Sequence, residues 1–438
     1  MSHTLPSSPM DVFPATREML EAARKAKLFG WWDFPLEVVT VDDAEADATD
    51  WAYWYYTSGN PITRTKQEVS ETVFQNDASV VALPAGFRKE ESLTFGAAGD
   101  LIRAEGLEHS KDILFGGIKD ILFDVDVSFA NLEQVVADDS ILNEKMGDGQ
   151  ELHGICCSTL QYYTMIECNG ERFDVLNMAN NHALDLGVER LSATHDLLSR
   201  DGIMDIGAPR SEEEYGKGKV FNSNGIKLGF VSATYGLNGK TLPEGEEYRV
   251  HTSKLMSKYA PTDLDLLLAQ IDDCKKRGCD FIVASIHWGV DCEFFPRLRQ
   301  IEAAHTLVEA GVDLIIGAHP HVIQPVEYYR TKRDPNRIAV IAYSLGSLTW
   351  GWYTAPHLIL SLVLNLELAR GRMDGEYRTY IKGVRPIPVF RNISYEGDKR
   401  LMRIEKLQGH LGDVGGANKD IDQMKKYADL VLGGAWQT

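Results

Sequence analysis

Residues 312–321, VDLIIGAHPH, set the reading of this chain. After Asp313 the run is apolar or small until it ends in His-Pro-His, as expected of a strand buried on both faces that stops at a polar turn. Just before it lies PRLRQIEAAHTLVEAG (296–311), which has helical spacing and closes on Gly311, as helix C-termini often do. Before that, DFIVASIHWG (280–289) is another apolar run, ending in His287, and RIAVIAYSLG (337–346) follows downstream. Strand, helix, strand is a βαβ unit, whose parallel strands end on the same edge of a sheet. His287, His319 and His321 therefore share one edge. Further out, SLTFGAAGDL (92–101), DVDVSFANLE (124–133), FDVLNMANNH (173–182) and KLGFVSATYG (227–236) continue the series, with helical stretches such as VERLSATHDLLSRDG (188–202) between them. The alternation predicts a layered α/β core.

The polar residues sit where these runs stop. Asp100, Asn131 with Glu133, Asn180-Asn181-His182, His287 and His319-Pro320-His321 each follow an apolar stretch. In α/β sheets the loops beyond the carboxyl ends of the strands form the ligand site. Converging imidazoles, carboxylates and an amide suit divalent metals such as Mn, Fe or Zn, with one or two ions and one shared carboxylate. Asp100, Glu133, Asn181, His287, His319 and His321 are the candidate ligands. His182 faces the substrate as an acid or electrostatic stabiliser. Asp185 either orients His182 or sits in the first helical turn. Asn180, Trp288, Trp350 and Trp352 are expected to line a substrate pocket, although aromatics at such positions also serve as core. The NNH turn has a plainer alternative as a helix cap.

Composition narrows the function. Among 438 residues, 45 are Lys or Arg and 64 are Asp or Glu, a net charge of −19. Such a balance argues against nucleic acid or anionic lipid as the partner. The start lacks a basic flank with an apolar core, and no apolar stretch reaches the length of a membrane span, so neither a signal peptide nor a membrane anchor is expected. The six cysteines form no CxxC pair and read as small buried residues. The expectation is a cytoplasmic protein acting on a small-molecule or peptide-like substrate, with a homo-oligomer left open. Three regions are expected: an aromatic-rich extension over 1–90, an α/β domain over 91–395 and a helical tail over 396–438.

GDL (99–101), NLE (131–133), ANNHALDLG (179–187), HWG (287–289) with Pro296, GAHPHVIQPVE (317–327) and YSLGSL (343–348) resemble, in this order, the CapA family of bacterial capsule or poly-γ-glutamate synthesis proteins. Its core is similar to the calcineurin-like metallophosphoesterases. The resemblance implies a four-layer α/β/β/α sandwich with metals at the strand ends. It assigns Asp100, Glu133 and His321 to one ion, and Glu133, Asn181, His287 and His319 to the other. Ile102 stands where metallophosphoesterases usually carry a ligand histidine, which weakens the first set. Two functions follow as expectations. One is a metal-dependent hydrolase of phosphoester or amide bonds, including γ-glutamyl bonds. The other is a non-enzymatic accessory or scaffold subunit for synthesis of such polymers.

Overall fold

Side chains alternate faces along a strand, and here that alternation sorts the apolar residues into separate cores. The computed structural model describes residues 16–69, 71–74, 78–137, 156–351, 355–410 and 419–437. Fourteen strands organise the argument: β1 (Arg88–Leu101), β2 (Val127–Leu132), β3 (Val175–Asn177), β4 (Met204–Ile206), β5 (Lys219–Ser223), β6 (Ile226–Thr234), β7 (Phe281–His287), β8 (Leu314–Ala318), β9 (Val326–Arg330), β10 (Ile338–Ala342), β11 (Ser347–Thr349), β12 (Leu360–Met373), β13 (Glu376–Glu396) and β14 (Lys399–Lys406). The 8-stranded sheet runs β14-β13-β12-β1-β2-β3-β4, with β11 paired to β1. The 6-stranded sheet runs β9-β10-β8-β7-β6-β5. The inner strands of each sheet are parallel: β1 with β2 and β2 with β3 in one, β6 with β7 and β7 with β8 in the other.

Phe95, Phe129 and Val175 of the larger sheet share one core with Phe230, Val283, Leu314 and Ile316 of the smaller. The Phe129 and Phe230 rings stack at 6.2 Å, 8° from parallel. Burying each such side chain contributes about 1.5–3 kcal/mol. The alternate residues face the other way. Leu101, Ala130, Leu132 and Leu176 pack with Tyr162 and Met165 of α3 (Thr159–Ile166) and Leu191 and Leu198 of α4 (Gly187–Arg200). Val231, Ala284, Ile286 and Ile315 pack with Leu267 and Ile271 of α5 (Asp265–Lys276) and Ile301 and Leu307 of α6 (Leu298–Ala310). Helix α6 ends at Gly311, as the sequence predicts.

The N-terminal segment joins this last core. Helices α1 (Arg17–Phe29) and α2 (Ala48–Gly59) contribute Ala26, Tyr53 and Tyr56, and Trp32 from the intervening turn packs edge-on against both tyrosines. In the stretch expected as a helical tail, Lys399–Lys406 instead forms β14, antiparallel to β13. The helix α7 (Lys419–Leu432) comes after it. RLMRIEK (400–406) buries Leu401, Met402 and Ile404 with only weak alternation, and the hairpin from β13 makes it a strand. Among the described residues, no helix is long and apolar enough to cross a membrane.

Candidate metal centre

Strand register brings the polar residues to one level. Asp100 pairs with Asn131, and Asn131 with Asn177, across the larger sheet. Thr234, His287 and Ala318 lie abreast in the smaller one. Two glycines permit the close approach of the loops behind this edge. A Cβ on Gly99 would stand 1.8 Å from the Gly346 carbonyl oxygen, and one on Gly317 would stand 1.9 Å from that of Tyr343. No side chain fits either place. His319 (φ +99°) and His321 (φ +58°) both occupy left-handed backbone. Such positions cost non-glycine residues of order 1–3 kcal/mol, and they cluster at functional sites.

All six expected ligands meet in one cleft. Nε2 of His287 lies 2.8 Å from Asn181 Oδ1 and 3.5 Å from Glu133 Oε1. Nε2 of His321 is 3.9 Å from the same Glu133 oxygen, while its Nδ1 lies 2.9 Å from Ser347 Oγ and 3.5 Å from Asp100 Oδ2. The His287 and His319 rings are 5.0 Å apart, and those of His319 and His321 are 5.8 Å apart. Two groups have ligand atoms all within 4.8 Å of one another: Glu133 with His319 and His321, and Asp100 with Glu133 and His287. Glu133 belongs to both.

The electrostatics fit a cation. Both Glu133 oxygens, Asp100 Oδ2 and both His319 nitrogens are buried without a hydrogen-bond partner. Burial, and then the Asp100 charge, pushes the Glu133 carboxyl well above its usual range. Burial, and then His319 and His321, holds His287 well below its usual value, so its imidazole is neutral and able to bind metal. A buried acid without donors, ringed by imidazoles, is a costly arrangement for protein alone. A divalent ion removes the cost. The donor set of carboxylates, imidazoles and an amide is one that could hold a divalent ion.

His182 and Asp185 are in contact. His182 Nδ1 is 2.6 Å from Asp185 Oδ2, and Lys240 donates to Asp185 Oδ1 at 2.9 Å. Burial opposes the Asp185 charge, but His182 and then Lys240 outweigh it and hold the carboxyl below its ordinary value. The other face of the His182 ring is directed inward, with Nε2 3.9 Å from Glu133 Oε1.

The expected pocket residues separate. Trp350 is buried at the edge of the core between the sheets, its ring 4.2 Å from that of His321. Trp288 is no pocket residue. It is 1 % exposed, donates through Nε1 to the Tyr343 carbonyl and belongs to the core under α5 and α6. As the neighbour of a cleft-facing histidine, it takes the opposite face of the strand line. Asn180 is also no pocket residue. It is fully buried, donates to the Leu132 carbonyl at 2.8 Å and accepts from the His182 N–H at 3.1 Å, which fixes the turn bearing Asn181 and His182. Trp352 lies outside the described residues. Ile102 is buried in the core between the sheets.

Three neighbours escaped the sequence reading. Tyr235 packs its ring 4.7 Å from that of His319. Asn238 accepts from Asn181 Nδ2 at 3.0 Å. Asp291 Oδ2 stands 3.4 Å from His319 Nε2. Tyr235 carried the same signal as the others, a polar-tipped residue at the end of an apolar run. Asn238 and Asp291 lie on loops, where spacing gives no direction.

The chain matches the family described as "Bacterial capsule synthesis protein PGA_cap" over residues 94–350, which holds every candidate ligand. It belongs to that family. Among curated PGA_cap relatives, the "PGA biosynthesis protein CapA" of Bacillus subtilis (strain 168) is 32% identical over 183 residues, 41% of this chain and 44% of the relative. The "Capsule biosynthesis protein CapA" of Bacillus anthracis is 27% identical over 283 residues, 61% of this chain and 63% of the relative. A "Probable polyglutamine synthesis accessory protein" of Mycobacterium tuberculosis is 28% identical over 164 residues, 36% of this chain and 42% of the relative. The chain thus spans about half the length of the curated relatives it matches.

Proposed function

We propose that this PGA_cap chain is a metal-dependent hydrolase of phosphoester or amide bonds, including γ-glutamyl and other peptide-like bonds. The observation that carries the reading is Glu133, buried, common to two ligand groups and without a hydrogen bond to either oxygen. In this reading Asp100, Glu133 and His321 hold one ion and Glu133, Asn181, His287 and His319 the other. The layer order is helix, sheet, sheet, helix, as in the metallophosphoesterases that the motifs resemble. A transition metal held there acidifies water and neutralises developing negative charge.

The chain's own residues do the rest. Asp185, kept charged by Lys240, fixes the His182 ring through Nδ1 and supports a proton on it. That proton sits on Nε2, directed at the centre. Water adds to phosphorus or to a carbonyl carbon and gives up one proton to solvent, the bond to the leaving oxygen or nitrogen breaks, the leaving atom takes the His182 proton, and His182 regains a proton from solvent. Trp350, its ring tilted against that of His321, walls one side of the cleft. Purified chain with Mn, Fe or Zn should hydrolyse at least one of a panel of phosphomonoesters, phosphodiesters and γ-glutamyl amides, and His182→Asn should slow it about 100-fold or more. An inactive panel with metal present would remove the enzymatic reading.

A second reading follows from the relatives' names: an accessory subunit for poly-γ-glutamate or capsule synthesis. It predicts that Glu133→Gln, folded and correctly assembled, still supports polymer formation in cells. The hydrolase reading predicts that it does not.

A further inference from the structure

The loop after β7 places a third carboxylate against the metal centre. Asp291 Oδ2 is 3.4 Å from His319 Nε2, and its Oδ1 is 3.9 Å from His321 Nε2. Ligands that each stand about 2.0–2.2 Å from one ion lie roughly 3–3.5 Å apart when adjacent in its shell. The His287–Glu133 separation of 3.5 Å falls at this spacing, and the Asp291–His319 separation of 3.4 Å matches it. His319 is 3 % exposed and neither of its nitrogens has a hydrogen bond of good geometry, so its 3.4 Å contact with Asp291 leaves both side chains able to turn to an ion. His321 Nδ1 is engaged by Ser347, which leaves Nε2, the atom facing Asp291, as its ligand atom.

The loop is fixed on both sides. Cys292 N–H donates to the Pro320 carbonyl, between the two histidines, at 2.9 Å, and the Cys292 carbonyl accepts from Ile62 N–H at 2.9 Å. Phe294 N–H donates back to the Ile62 carbonyl at 2.9 Å. Glu293 is clamped by Arg297 at 2.6 and 2.9 Å and by the Tyr53 hydroxyl at 2.6 Å. Cys292 itself is held at φ +59°. Contacts of this number hold Asp291 in place, and its side chain, 31% exposed, opens toward the cleft rather than into hydrocarbon.

Resting on the metal-centre reading above, we propose that Asp291 is a direct ligand of that centre, adding a carboxylate on the His319 and His321 side where Ile102 contributes none. The test is calorimetric titration of Mn2+ into the chelator-stripped full chain and its Asp291→Asn and Asp291→Glu variants. The expected result is at least about tenfold weaker binding for Asn and binding within about threefold of wild type for Glu. Unchanged affinity in Asn, or equal loss in both variants, would overturn the assignment while leaving the centre itself standing. A wild-type chain that takes up no Mn2+ would overturn both.

Discussion

The two ends of the parallel strands treat buried charge in opposite ways. At the N-terminal end of β8, Asp313 is 4% exposed, and its carboxylate accepts from Ile282 N–H at 3.0 Å, Arg333 at 2.8 Å and Arg337 at 2.7 Å. At the C-terminal end, Glu133 is fully buried, and neither oxygen accepts a hydrogen bond. Its neighbours are imidazoles at 3.5–3.9 Å. Desolvating either acid costs several kcal/mol. One end recovers that cost inside the chain and serves stability. The other leaves it outstanding, a cost that a bound ion would recover.

That contrast is open to direct challenge. The largest effect is expected at Glu133. Glu133→Gln should weaken metal binding by about 100-fold or more, since even outer-shell changes at metal sites cost about 10–100-fold. In chelator the same variant should unfold at equal or higher urea than wild type, because the carboxyl it replaces is disfavoured by burial and by the neighbouring Asp100. Lower metal-free stability would show that Glu133 has partners within the protein. Arg337→Met should do the reverse. It should cost about 3–5 kcal/mol in urea unfolding by leaving Asp313 underpaired, and it should leave Mn2+ affinity unchanged. A shift in affinity would mean that the two ends are coupled.

Acid should weaken the fold through two histidines away from the centre. Burial lowers His251 and His357 from 6.5 to about 4. Each stays neutral, with His251 Nε2 accepting from Gly216 N–H and His357 Nε2 donating to the Ser58 carbonyl. Below about pH 6.5 the unfolded chain takes up protons that the fold refuses. Stability is therefore full above that pH and falls as it drops toward 4, by up to about 3 kcal/mol for each histidine. His357→Gln should remove about 2 kcal/mol of the stability difference between pH 7 and pH 5. An unaltered difference would count against a neutral His357. The smallest effect is expected at the N-terminal brace, where Tyr53→Phe removes the hydrogen bond to Glu293 and the one accepted from Leu36 N–H and should cost about 1–2 kcal/mol.

The strand-end rule carried most of the site. Apolar runs placed Asp100, Glu133, Asn181, His287, His319 and His321 at strand ends, and the parallel topology, a backbone property, did the rest. Trp288 shows where the rule was applied without its corollary: the residue beside a cleft-facing histidine points into the opposite core. Asn180 failed for a different reason, because its amide satisfies the Leu132 carbonyl, a partner fixed only by tertiary structure. Asp291 was illegible. Its direction depends on Pro320 and Ile62, both remote from it in sequence. The strand Lys399–Lys406 was missed because its pattern alternates weakly and its pairing partner, β13, supplies the register.

The most direct measurement is anomalous X-ray scattering from crystals of the full chain soaked in Mn2+. One or two peaks are expected among Glu133, His287, His319 and His321, with Asp100 and Asn181 flanking them. A map with no peak in that cleft, at a Mn2+ concentration that loads the protein in solution, would contradict the metal-centre reading.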